Sequence, residues 1–322
     1  MTYVAGGLIQ ATDYNGFVST TAGANVNATW STGVSDAGYG QSALATVSAA
    51  TTVTATQWAS LVNTITSMAN HQGTVPSASR TAPVTGNLIQ IFAGINTDLT
   101  NLYSNRGNAI ASGAQFTGWT GTNSKTTTTT GATWTITFTN TITFASVDAA
   151  RYFWNAGGLV KIDVSKTATG QTGDPEWNDL ANTLCGDIWI SGRIAGGAQT
   201  IGGVIYTGVT KIGGTGTPAT LATTSGWYNL TTTDTIIYKQ FADTAPYTSN
   251  FIQHSARTAG SGTQLIITTL WSASDGDPIS GGTASSGATP GTAPTTIVTY
   301  YPPSTTYLTQ TWGIPAVAAT TV

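Results

Sequence analysis

The sequence predicts an α+β protein by segregation, with an N-terminal helical region followed by a mainly antiparallel β-sandwich domain. Three observations carry that reading. Apolar residues recur at helical spacing up to about residue 112 and alternate with polar ones beyond it. Gly, Asn, Asp and Pro clusters punctuate the second part at short intervals, as turns between strands do. Charged residues make up 7% of the 322 residues, against about 25% in an average soluble domain, yet 40% are hydrophobic and 10 are Trp. A packed core is therefore available without the usual ionic surface. The expected organisation is a helical attachment or oligomerisation region over 1–112 and a jelly-roll-like β-sandwich over 113–322.

The helical region begins weakly. Thr12 and Asp13 open a segment carrying Phe17, Val18, Ala22, Val26 and Trp30, which Gly16 and Gly23 interrupt. Residues 33–41, with Asp36, Gly38 and Gly40, have loop composition. The clearest stripe is Trp58, Leu61, Val62, Ile65, Met68 and Ala69, opened by Thr56 and Gln57 and followed by the stop signals Gly73 and Pro76. Thr85 is placed to cap a third helix that Gly107 ends. On it Leu88, Phe92, Ile95, Leu99 and Leu102 are spaced 4-3-4-3. That spacing suits either one buried face of a bundle or a short self-associating seam. Residues 9–18 and 53–62 share one pattern of apolar, Ala, Thr and aromatic positions, consistent with two analogous capped helix starts.

Beyond residue 112 the period becomes two. Trp134, Ile136 and Phe138 alternate with Thr, whose branched Cβ fits a pleated surface while keeping the outer face polar without charge. Further strands are expected over 160–164, 187–191, 200–206, 235–240, 250–257, 264–271 and 295–301. Residues 272–294, rich in Gly, Ser, Thr and Pro, read as a long exposed loop.

Composition excludes several functions. A formal net charge of −3 with no basic block argues against a nucleic-acid groove. The single Cys185 excludes an intrachain disulfide framework and a multi-Cys zinc site. No apolar run is long enough to span a bilayer, and residues 1–7 lack the basic start and apolar stretch of a secretory signal. No catalytic constellation stands out. His71 and His254 lie in different halves, no Gly-x-Ser-x-Gly elbow occurs, and Cys185 reads as a buried, inert thiol. Two sets of acidic residues are ambiguous. Asp174, Glu176 and Asp179 share one segment that reads as a solvated loop, a calcium-ligand set or, least, a carboxylate pair for glycoside hydrolysis. Asp275 and Asp277 flank a turn glycine in the long loop and raise the same calcium question. Of the aromatics, Trp119, Trp177, Tyr247 and Tyr301 fall in expected loops, and Trp177 and Tyr247 are the candidate glycan contacts. No catalytic residue, cofactor or resident metal is assigned.

The segment Ala149-Ala150-Arg151-Tyr152-Phe153-Trp154-Asn155-Ala156-Gly157-Gly158, followed by Val160, Ile162 and Val164, resembles virion structural proteins of tailed bacteriophages, those of cyanobacterial and marine phages most closely. Residues 6–15, Gly38-Tyr39-Gly40-Gln41, Trp58-Ala59-Ser60-Leu61-Val62-Asn63 and Gly226-Trp227-Tyr228-Asn229-Leu230-Thr231 look like the same family. The resemblance implies a non-enzymatic tail, baseplate, neck or fibre component located in the virion and made in the bacterial cytoplasm. It implies copies of itself as partners, a trimer favoured, and other tail proteins docked on the helical region. A glycan-binding adhesin, a capsid decoration protein and, least, a polysaccharide-degrading enzyme are the alternatives. The scarcity of charge over the first 124 residues adds an expectation that the helical region is covered by partners.

Overall fold

The structure, a computed structural model, describes residues 10–19, 24–77, 81–86, 94–111, 120–124, 134–167, 174–192, 197–273 and 294–321. It contains both helices and antiparallel sheets, so the α+β class holds. The weak first helix is two short ones, α1 (Ala11–Val18) and α2 (Val26–Trp30). The strong stripe forms α3 (Ala55–Gln72). Its start lies at Thr54, which with Gln57 forms a reciprocal capping box, and Gly73 in the left-handed region closes it. The next helix, α4 (Ile95–Ser104), is entered from Gly94. Thr85 sits in a turn with Gly86 and does not cap it.

Among the described residues, eleven strands build two antiparallel sheets with apolar residues on their inner faces. One has the order β1 (Thr120–Ser124), β12 (Thr295–Tyr301), β3 (Leu159–Ser165), β4 (Asp187–Ile190) and β7 (Val209–Ile212). The other has the order β13 (Ala316–Thr321), β2 (Trp134–Thr143), β11 (Gln264–Ala273), β10 (Phe251–Ala259), β9 (Thr235–Phe241) and the two-residue β8 (Thr220–Leu221). On β2 the expected alternation is present: Trp134, Ile136, Phe138 and Ile142 are buried, with Thr between them. The run at 200–206, expected as one strand, is a hairpin of β5 (Gln199–Ile201) and β6 (Val204–Tyr206). Gly202 and Gly203 both take positive φ there, the combination a two-residue turn matching strand twist requires.

Two helices interrupt the strand region, where none was expected. In α5 (Val147–Asn155) Ser146 caps the start, and Ala149, Ala150, Phe153 and Trp154 form the buried face. In α6 (Asp174–Asp179), continued by a π-helical turn (Leu180–Cys185), Trp177, Leu180, Ala181, Leu184 and Cys185 are buried. These helices carry aromatic groups into the core. Phe153 stacks on Tyr300 at 4.8 Å, and Trp177 lies 4.9 Å from Trp134 and 5.7 Å from Trp271.

The core does not divide at residue 112. One contiguous buried cluster includes Tyr14, Phe17, Trp58, Leu61 and Met68 from the helical region together with Phe138, Trp154, Ile162 and Trp271 from the strand region. The boundary at 112 therefore marks a change of secondary structure within one hydrophobic core.

Candidate functional site

Two polar regions stand out against this apolar interior. The first is the loop at 31–41, which runs between the helices and the sheets. Asn155 Nδ2, at the end of α5, donates to the carbonyls of Ala37 (2.9 Å) and Gly38 (3.0 Å). Arg151, one turn earlier, donates to the carbonyls of Thr32 (2.9 Å) and Ser35 (3.1 Å) and pairs with Asp148. The Tyr228 hydroxyl donates to Asn155 Oδ1 at 2.6 Å, and Trp227 stacks on Trp154 at 5.5 Å. The Tyr39 hydroxyl donates to the Arg106 carbonyl (2.8 Å) and accepts from Gln72 Nε2 (2.7 Å), while Arg106 pairs with Asp36. On the far side, Gln41 exchanges two hydrogen bonds of 2.8 Å with the Thr309 backbone, and Thr311 donates to the Tyr39 carbonyl. Gly38 holds φ +94° with its Cα against the Thr32 carbonyl, a place where a Cβ would lie 2.3 Å from that oxygen.

Three of the segments singled out in the sequence, at 38–41, 149–158 and 226–231, thus meet in this one junction. The described charges of the helical region are also spent internally. Asp13 reaches back to the Gln10 backbone at the start of α1, Asp36 holds Arg106, and Asp98 accepts from the Ser77 N–H at 2.7 Å.

The second region is acidic. Glu176 and Asp179 sit three residues apart on α6, hence on one helix face. Asp243, which the sequence did not connect with them, arrives from the turn between β9 and β10. One carboxylate oxygen from each of the three lies within 4.8 Å of the others. Glu176 is 8% exposed, and Asp243 is exposed. Burial pushes the Glu176 carboxyl above the usual carboxylate range; hydrogen bonds from Thr244 oppose that, and the charges of Asp179 and Asp243 add to it. Glu176 Oε1 is shut off from solvent and has no hydrogen-bond partner. The Asp174 side chain lies outside the described residues; among those described the acidic group is Glu176, Asp179 and Asp243.

The remaining expected residues fall elsewhere. Trp177 is 1% exposed, wedged between Trp134 and Trp271, so it does not present a face to a glycan. It opens a helical stripe rather than an exposed loop. Tyr247 is half-buried in the turn after Asp243, and Tyr301 packs on Trp189 at 4.8 Å. Ile95, Leu99 and Leu102 are buried at 0%, 2% and 1% inside the chain's own core, which matches the bundle-face reading of the 4-3-4-3 spacing and leaves them unavailable as a seam. Leu88, Phe92, Trp119, Asp275 and Asp277 lie outside the described residues.

Both histidines are interior and neutral. His71 Nε2 donates to the Ala156 carbonyl at 3.1 Å, and burial takes its pKa down to about 4. His254 Nδ1 is hydrogen-bonded to Thr269 at 2.9 Å, and burial takes it down to about 3. The Cys185 thiol is buried and pushed up to about 12, the opposite of an activated nucleophile. No family model, no curated protein and no solved structure matches the chain.

Proposed function

We propose that the chain is a non-enzymatic structural component of a bacteriophage particle, a tail, baseplate, neck or fibre protein that assembles with copies of itself. The observation that carries this reading is where the phage-like segments fall. Three of the five, at 38–41, 149–158 and 226–231, meet at the junction beside the helices, where the contacts are structural. The composition supports the same reading, because subunits with few charges gain stability by burying weakly polar surface between copies. Exposed apolar side chains are present for that purpose: Val75 is 84% exposed, Ile205 61% and Ile110 49%. With the α4 residues committed to the interior, trimer formation in this reading uses such outer surfaces. No helix among the described residues is long and apolar enough to cross a membrane.

Mass spectrometry and cryo-electron microscopy of purified particles test the proposal. The expected result is a fixed copy number at a symmetric position on the tail or its appendages. Absence of the chain from intact particles, with full recovery from the soluble lysate, overturns it.

A further inference from the structure

We propose that Glu176, Asp179 and Asp243 form a binding site for a calcium ion. Three carboxylates converge, and among the described residues no Lys or Arg is paired with any of them. Acidic side chains gather on many surfaces without purpose. Here a second observation points inward: Glu176 is more than nine-tenths buried, and its Oε1 has neither water access nor a donor. A carboxylate oxygen left that way costs several times what a made hydrogen bond contributes, and a cation is the group that would answer it.

The all-oxygen donor set and its spacing suit calcium. Calcium takes oxygen ligands at about 2.3–2.6 Å, so its ligand shell is about 4.6–5.2 Å across. The three oxygens lie within 4.8 Å of one another, a spacing close to that of ligands on one such shell. Magnesium, at about 2.0–2.1 Å, would need a tighter cage and gives up its water reluctantly. Zinc prefers nitrogen and sulfur, and neither histidine nor Cys185 belongs to the cluster.

The ligands are also held in place before any ion arrives. Trp177, next to Glu176, is clamped between Trp134 and Trp271, and Asn178 Nδ2 donates to the Lys166 carbonyl at 2.7 Å, which together fix α6. Across from it, the Ala242 N–H donates to the Asn250 carbonyl and the Tyr247 N–H to the Thr244 carbonyl, closing the turn that carries Asp243. Thr244 donates to Asp243 Oδ1 at 3.2 Å and hydrogen-bonds Glu176, so one residue orients two of the three ligands. Asp243 is exposed, so water can reach that side of the cluster and complete an ion's shell.

The site makes a direct test available on the full chain. Titration with calcium by calorimetry is expected to show one ion per chain. Terbium bound in its place is expected to luminesce on excitation of the adjacent tryptophans and to be displaced by calcium but poorly by magnesium. Asp243→Asn, at an exposed position that the fold does not need, is expected to weaken binding by at least about tenfold while leaving the circular dichroism of the calcium-free protein unchanged. Asp179→Asn is expected to act in the same direction. Absence of any calorimetric or terbium signal at millimolar calcium overturns the proposal. So does binding that survives unchanged in both variants, which would put the ion elsewhere.

Discussion

The loop at 31–41 and the acidic end of α6 are both polar regions set into an apolar interior, and they are completed differently. In the loop, carbonyls are answered by Arg151, Asn155 and Thr311, and each answering group is itself held. At α6 three negative groups converge and one oxygen is left over. A region whose bonds close on themselves is scaffold. In the proposed reading that leftover oxygen is where a cation binds. The comparison also explains why burial alone does not identify a site: Asn155 at 3% and Glu176 at 8% are almost equally hidden, and only the count of partners separates them.

The largest effect is expected from Gly38→Ala. A Cβ there meets backbone at 2.3 Å, and the φ of +94° is unfavourable for any L side chain. Strain and displacement together are expected to cost about 4 kcal/mol, read as a lower urea midpoint at unchanged slope. Asn155→Ala comes next. It leaves the Gly38 carbonyl without a donor and takes one of two partners from the Ala37 carbonyl, which keeps Arg151, and from the Tyr228 hydroxyl, which keeps the Ser35 carbonyl, at about 2 kcal/mol in the same assay. A loss below about 0.5 kcal/mol for either variant would mean that the loop is not what joins the two parts.

Acid separates the two regions by sign. His71 has a folded pKa of about 4 against an ordinary 6.5, so the unfolded chain binds the extra proton between those values. Its contribution to stability is complete above pH 6.5 and is lost as pH falls toward 4, by about 3 kcal/mol at most. Glu176 is shifted the other way. Its folded form is most favourable below the ordinary carboxylate range, and that advantage is lost as pH rises through its raised pKa. Urea midpoints from pH 4 to 7 in a calcium-free buffer check both, with His71→Gln expected to flatten the slope between 4 and 6.5. An unchanged slope in that variant would show that His71 does not carry the effect.

Much of this architecture could be read in advance. The α3 stripe, the Thr-alternating strands and the inert thiol follow from local spacing, which fixes which face turns inward. The short helices were missed because composition was weighed over period. Asp, Pro and Asn around Trp177 suggested a loop, yet Trp177, Leu180, Ala181, Leu184 and Cys185 recur at i, i+3, i+4, i+7 and i+8, and that signal would have found α6 and the burial of Trp177. Asp243 had no such signal. It joins Glu176 only because β9 and β10 carry their connecting turn to the end of α6, a tertiary fact with no trace in local pattern. The junction is similar: the segments that form it were visible one by one, and their meeting was not.

Native-state hydrogen exchange measured together on α3 and on β10 and β11 bears most directly on whether helices and sheets are one body locked through the 31–41 loop. Amides of all three elements that exchange only on global opening are expected to give the same free energy, within about 1 kcal/mol, and Asn155→Ala is expected to lower all of them together. If α3 instead opens several kcal/mol more readily while β10 and β11 keep full protection, the helical region is a separable unit and the shared core does not hold the chain together.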